Sequence, residues 1–285
     1  MLSRKRKRLN VPAPVIPRGV WAPVLPKKAG IRPWEGVKPW ETAKAEVVIP
    51  TIGRPDTLFL AVELLQLQTI PLHIVVIDTG SNVEDKAQVD LLRQRGVEVH
   101  HLHAVGWTHA SAPVAVALDL ALSLCRTEYQ ILTHADCFVR SRDAAERLIS
   151  CVNSEEPAAG YQISPREGLS DWKSMIGHTW SALHVPTVLQ LGVRWSHNAF
   201  LAAGGEGKFD TEYGFCRQLR RAGVYPKLLG VEENYTRNKN EDFDHIRSLI
   251  SARLYSSAHE EKAQEWLADC VKEAKERIHE WKKQS

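Results

Sequence analysis

Three short polar clusters stand where apolar runs of the sequence stop. Glu46-Val47-Val48-Ile49-Pro50 leads into Thr51 and Arg54, Leu72-His73-Ile74-Val75-Val76-Ile77 into Asp78-Thr79-Gly80-Ser81, and Tyr129 to Thr133 into His134-Ala135-Asp136. Carboxylates are hard oxygen ligands that suit Mg2+ or Mn2+. An imidazole can hydrogen-bond a hydroxyl or donate to a phosphate, and an arginine fork pairs with phosphate oxygens. Asp136 is the acid best placed to hold a cation, with a turn cap as its ordinary role. Further carboxylates and imidazoles follow in Phe209-Asp210-Thr211-Glu212, in Trp107-Thr108-His109, in Trp195-Ser196-His197-Asn198 and in Asp242-Phe243-Asp244-His245.

For the three clusters to meet, the apolar runs must be strands of one sheet. The β-branched runs at 46–50 and 72–78 fit buried parallel strands. Between them Leu58, Leu60, Ala61, Leu64 and Leu65 recur at helical spacing, with Asp56 or Thr57 placed to cap, which makes a βαβ unit. The alternation continues with a helix near 85–94, a strand at 97–101, a helix at 112–124 and a strand at 129–133. It predicts an α/β fold with a mostly parallel sheet flanked by helices, in which ligands bind beyond the carboxyl ends of the strands. All three clusters then line one crevice. Beyond Asp136 the pattern gives a helix at 143–153, strands and loops rich in Trp, His and Ser over 157–200, an amphipathic helix at 211–222 closed by Gly223, and a late strand at 225–230. From 259 to 283, Trp266, Leu267, Cys270, Val271, Ala274, Ile278 and Trp281 form a stripe that packs on the body or joins two copies in a homo-oligomer. Asp119, inside an apolar helix, reaches the crevice or faces water.

The 285 residues are 44% hydrophobic and 25% charged, an ordinary globular balance, but the net charge of +3 is unevenly spread. Residues 1–45 carry 11 Lys or Arg against 2 acids, and the rest carries 26 against 32. That basic segment also holds Pro12, Pro14, Pro17, Pro23, Pro26, Pro33 and Pro39, so an extended arm with a disordered tip is expected. Arg4 to Arg8 could attract nucleic acid or an acidic membrane surface, or form a solvated tail. Trp21, Trp34 and Trp40 imply that residues 20–45 lie against the body and bury these rings. No window approaches the roughly 18 to 20 apolar residues of a membrane helix, so no span and a cytoplasmic location are expected. Five widely separated cysteines fit reduced thiols, not a disulfide framework.

Val47-Val48-Ile49-Pro50-Thr51-Ile52-Gly53-Arg54-Pro55, Val76-Ile77-Asp78-Thr79-Gly80-Ser81, and the strand into His134-Ala135-Asp136 resemble the opening motifs of family 2 glycosyltransferases with the GT-A fold. Phe209-Asp210-Thr211-Glu212, followed by Gln218-Leu219-Arg220-Arg221-Ala222-Gly223, resembles that family's acceptor-side segment, and the four motifs together span about residues 46–230. The resemblance implies a GT-A, Rossmann-like domain over 46–245, preceded by the arm at 1–45 and followed by a C-terminal helical extension at 246–285. It implies an enzyme that moves a sugar from a nucleotide-sugar donor, UDP-sugar favoured, to an acceptor hydroxyl, inverting and assisted by Mn2+ or Mg2+. Donor binding would fall to Pro50, Thr51, Arg54, Asp78, His109, His134 and Asp136. Metal binding would fall to Asp136 with a late histidine, His245 or His197. Catalysis would fall to Glu212, with Asp210 as the second candidate base. The chain departs from the family twice: His134 stands for the first acid of Asp-x-Asp, and Thr79 for a second acid after Asp78. A nucleotidyltransferase, a nucleic-acid-directed glycosyltransferase acting on modified DNA bases through the basic arm, and a protein that binds nucleotide-sugars without catalysis stay open.

Overall fold

The chain is described here by a computed structural model covering residues 38–102, 112–162, 175–196, 211–231, 237–246 and 257–284. Its strands are β1 (Ala45–Thr51), β2 (Leu72–Asp78), β3 (Glu98–His101), β4 (Tyr129–Thr133), β5 (Cys137–Val139), β6 (Ala158–Gln162), β7 (Ile176–His184), β8 (Lys227–Val231), β9 (Arg237–Lys239) and β10 (Phe243–Ile246). The main sheet runs β3-β2-β1-β4-β7-β6-β8, and a second, three-stranded sheet runs β5-β10-β9. Among the described strands only β7 opposes the rest of the main sheet, pairing antiparallel with both β4 and β6. This is the mostly parallel, Rossmann-like sheet that the alternation of strands and helices predicts.

The sequence of β1 explains its place. Flanked by β2 and β4 and covered on both faces, it needs an unbroken apolar run, and all seven of its residues are buried. Val47 and Ile49 belong to one core, with Leu58, Ala61, Val62 and Leu65 of α2 (Pro55–Gln66). Val48 belongs to the other, with Ala117, Leu118 and Leu122 of α4 (Ala112–Leu124) and Phe215 and Leu219 of a later helix (Thr211–Arg221).

Helix ends follow local chemistry. Pro55 opens α2 at a position where its missing N–H costs nothing. Asn82 caps α3 (Val83–Asp90) by accepting from the Asp85 N–H at 2.7 Å. The expected helix at 85–94 is divided, because after α3 the chain tightens into a 3-10 turn, Leu91–Arg95, which Gly96 ends at φ 78°. The expected helix at 143–153 contracts to α5 (Ala144–Ile149), since the Asn153 side chain accepts from the N–H groups of Glu155 and Glu156 and makes a turn there.

The C-terminal helix, Ser257–Lys283, lays its stripe on the body: Leu267, Cys270, Ala274, Ile278 and Trp281 are buried in the same core as β1 and α2. The stripe is therefore covered by the chain itself, which removes the reason for expecting it to join two copies. All five cysteines are free thiols. Trp40 lies in the short first helix, α1 (Pro39–Thr42), with the Arg126 guanidinium 4.0 Å from its ring centre. Trp21 and Trp34 lie outside the described residues, as does the arm up to residue 37. Among the described residues no helix is long and apolar enough to cross a membrane.

Candidate metal and nucleotide site

Parallel pairing places the polar clusters at one edge. Thr51 of β1 lies opposite Asp78 of β2, and Val48 lies opposite Leu132 of β4, so the three strands end together. The first two loops are tied to each other. The Thr79 N–H and hydroxyl both donate to the Thr51 carbonyl, at 2.9 and 3.0 Å, and the Gly53 N–H donates to Ser81 Oγ at 2.8 Å. Gly53 takes φ 60°, a left-handed turn that favours glycine, and so lets the loop fold back.

Asp78 is wholly buried within this structure. Its Oδ1 accepts from the Ser81 N–H at 2.9 Å, and its Oδ2 meets His101 Nδ1 at 2.9 Å. Burial pushes its carboxyl upward, but the hydrogen bonds from Ser81 and His101 outweigh this and hold it below the ordinary value. Pro50 and Thr51 are likewise buried in the strand end. Arg54 makes a two-pronged pair with Asp56, at 3.0 and 2.8 Å, and lies near enough to Asp136 for its charge to be felt there.

The third cluster acquires partners from far along the chain. β10 pairs antiparallel with β5, His245 opposite Cys137, which sets the His245 side chain beside Asp136. His245 Nε2 lies 3.6 Å and His134 Nδ1 3.9 Å from the same oxygen, Asp136 Oδ1. That oxygen is buried and, among the described residues, has no hydrogen-bond partner. Donor atoms of His134, Asp136 and His245 all lie within 4.8 Å of one another. Bonds of about 2.1 Å allow two ligands of one ion to be up to about 4.2 Å apart, so the residues present fit a cation with little adjustment. Burial pushes the Asp136 carboxyl up to about 7, against the pull of the Arg54 charge. An isolated buried carboxylate is costly, and a cation would offset that cost.

Beside this triad stands a pair that the sequence did not reveal. β7 runs antiparallel along β4, with Trp180 opposite Thr133, and carries His178 past the end of β4 to His134, where the ring centres are 4.4 Å apart. His178 Nδ1 contacts Glu212 Oε1 at 2.6 Å. Glu212 is on the first turn of the helix Thr211–Arg221, whose Phe215 stacks on Trp195 with ring centres 3.8 Å apart. The strand–loop region at 157–200 contained His178 only as one of several histidines, and nothing in its spacing tied it to Glu212.

Asp119 is half-buried and engaged by the backbone that follows Val193. It accepts the N–H groups of Trp195 and Ser196, at 2.7 and 3.0 Å, and burial pushes its carboxyl to about 6. His109, His197 and Asp210, and with them Trp107 and Thr108, lie outside the described residues.

No protein-family model and no curated protein matches the sequence. Solved structures similar to the chain include a mannosyltransferase from Pyrobaculum calidifontis in complex with GDP-Man and Mn2+. It is 15% identical, with a TM-score of 0.47, over 70% of this chain and 59% of that one. They also include residues 1–349 of S. aureus TarS, 12% identical with a TM-score of 0.48 over 81% of this chain and 71% of that one. A third is glucosyl-3-phosphoglycerate synthase from Mycobacterium tuberculosis, 13% identical with a TM-score of 0.46 over 71% of this chain and 74% of that one. The chain thus spans less than two thirds of the mannosyltransferase. Similarity this distant carries no functional argument, which rests on the side chains instead.

Proposed function

We propose that the chain is a nucleotide-sugar-dependent glycosyltransferase, inverting and metal-assisted, that transfers a sugar from a UDP-sugar to an acceptor hydroxyl. The observation that carries this reading is the meeting of His134, Asp136 and His245 with the Glu212–His178 pair where β1, β2 and β4 end. A cation site and a carboxylate base are the two parts that displacement of a diphosphate by a hydroxyl requires. Mg2+ or Mn2+ held by His134, Asp136 and His245 would neutralise the negative charge that grows on the departing diphosphate.

The remaining roles fall to the chain's own groups. Glu212 takes the proton of the acceptor hydroxyl as its oxygen attacks the anomeric carbon from the face opposite the diphosphate. His178, in contact with Glu212 at 2.6 Å, fixes the orientation of that carboxylate. Arg54 adds positive charge on the phosphate side, and the loop organised by Asp78 and Ser81 forms the floor on which Thr51 and the nucleoside would meet. A panel of UDP-, GDP- and dTDP-sugars, incubated with Mn2+ and followed by nucleotide release, tests the proposal. Turnover of at least one donor by the intact protein, lost in Asp136→Ala, is the expected result. No binding or turnover of any donor would sink it.

A further inference from the structure

The metal-site triad contains two imidazoles and one carboxylate. Mg2+ prefers an octahedron of oxygens and gives up its waters reluctantly, and among the described residues this triad offers it one carboxylate, that of Asp136. The next carboxylate in the cluster, Glu212, is engaged by His178 at 2.6 Å. Imidazole nitrogen suits the first-row transition ions, whose affinity for a given site rises from Mn2+ through Fe2+ to Co2+. The two histidine rings stand nearly perpendicular, at 87° with centres 5.1 Å apart, and each offers a nitrogen toward Asp136 Oδ1. Neither ring is on a free surface loop: His245 is fixed by the β5–β10 pairing and His134 by the end of β4.

We infer that the site discriminates against Mg2+ in favour of first-row transition ions, and that its two imidazoles, His134 and His245, set this preference. The inference rests on the proposal that the triad holds the metal of a glycosyltransferase, and it specifies the ion chemistry of that same site. In a site with Asp at position 134 the donors would be two carboxylates and one imidazole, a harder set that suits Mg2+ better.

The test needs no sugar nucleotide. Full-length protein, stripped of metal with a chelator, is titrated separately with MgCl2, MnCl2 and CoCl2 by calorimetry, and Co2+ binding is also followed by visible absorption. One ion per chain is expected, Co2+ binding more tightly than Mn2+, and Mg2+ at least about 10-fold more weakly than Mn2+. His134→Asp should narrow the gap between Co2+ and Mg2+ about 10-fold or more and alter the Co2+ absorption band. His245→Asp serves as a second variant should His134→Asp fail to fold, and the same narrowing is expected. Mg2+ binding as tightly as Mn2+ in the native protein, no transition-ion binding, or folded Asp variants with unchanged selectivity would overturn the inference. Ion selectivity without turnover of any donor would leave it standing while the glycosyltransferase proposal failed, and the opposite result would separate the two the other way.

Discussion

At the scale of single residues, the proposed chemistry divides between binding and proton transfer, and substitutions should divide the same way. Glu212→Gln keeps the shape of the side chain and its place on the helix but removes the basic carboxylate. Transfer is expected to fall about 10²- to 10⁴-fold, with donor and metal binding retained. A Gln variant that transfers at the native rate would move the base elsewhere, with Asp210 next in line. His178→Gln keeps an N–H that can donate to Glu212, so it should lower kcat much less than His178→Ala, and neither should change the KM for the donor. A donor KM that rises with either variant would mean that His178 serves the donor and not the base. Part of this site was legible in the sequence. Asp136 and His134 stand at the end of an evident strand, and Glu212 was found through its distance from Ala222-Gly223. His178 was not, because its partnership depends on an antiparallel strand crossing after a stretch with no regular period. The partners of Asp78 were not legible either: its oxygens accept from the Gly80-Ser81 turn and meet His101.

At the scale of elements, the opposite ends of the same strands hold a buried charged network whose balance is open to a pH test. His73, at the start of β2, is fully buried between Glu46 of β1 and Glu98 of β3, at 3.2 Å from each. Arg126 and His100 also contact Glu98, at 2.7 and 2.8 Å, and Gln130 of β4 donates to Glu46 at 3.1 Å. Burial alone would push the His73 imidazole down, but the two carboxylates outweigh it and hold it above 6.5. Its stabilising effect is therefore full below pH 6.5 and is lost as pH rises through the higher, folded-state value. Burial would raise the Glu98 carboxyl, but His100, His73 and Arg126 outweigh this and hold it well below 4.5. That contribution is full above pH 4.5 and is lost as pH falls. The network thus stabilises most between about pH 4.5 and 6.5. Thermal melts across pH 4 to 9, on the order of one per pH unit, should show native stability declining on the alkaline side relative to His73→Gln. Parallel curves for the two proteins would mean that His73 is neutral in the fold. His73→Leu leaves two carboxylates facing an apolar group and should cost about 3 to 5 kcal/mol. The strands carrying this network were evident from their β-branched runs. The network was not, since three polar residues at strand starts look in sequence like the solvated ends of edge strands.

At the scale of the whole molecule, the question is whether the C-terminal helix is an appendage to the domain or a part of it. Periodicity alone revealed its stripe but left two surfaces for it to cover, and the small sheet β5-β10-β9, which decides the matter, left no mark in the sequence. Its strands are only three or four residues long, too short to show a period of two. In the fold, the helix buries Leu267, Cys270, Ala274, Ile278 and Trp281 in the core shared with α2 and β1. Charged pairs mark its outer border. Glu273 receives Arg237 at 2.9 Å and Lys239 at 2.8 Å, both from β9, and Lys282 pairs with Glu63 of α2. Asp244 of β10, fully buried, is held by Arg237 at 2.8 Å, so the helix, β9 and β10 brace one another. His245 follows Asp244 directly. Loss of the helix should therefore act on two measurements together, stability and metal binding. Trp281→Ala should cost about 3 to 5 kcal/mol through the cavity it leaves, with the metal site intact at temperatures where the protein stays folded. Removal of residues 257–285 uncovers the whole stripe and the Arg237–Asp244 brace. The truncated chain should lose its cooperative thermal transition and its near-ultraviolet circular dichroism, and bind neither Mn2+ nor Co2+. A truncated protein that melts cooperatively at the native temperature and still binds metal would show the helix to be separable, with His245 held by the β5–β10 pairing alone.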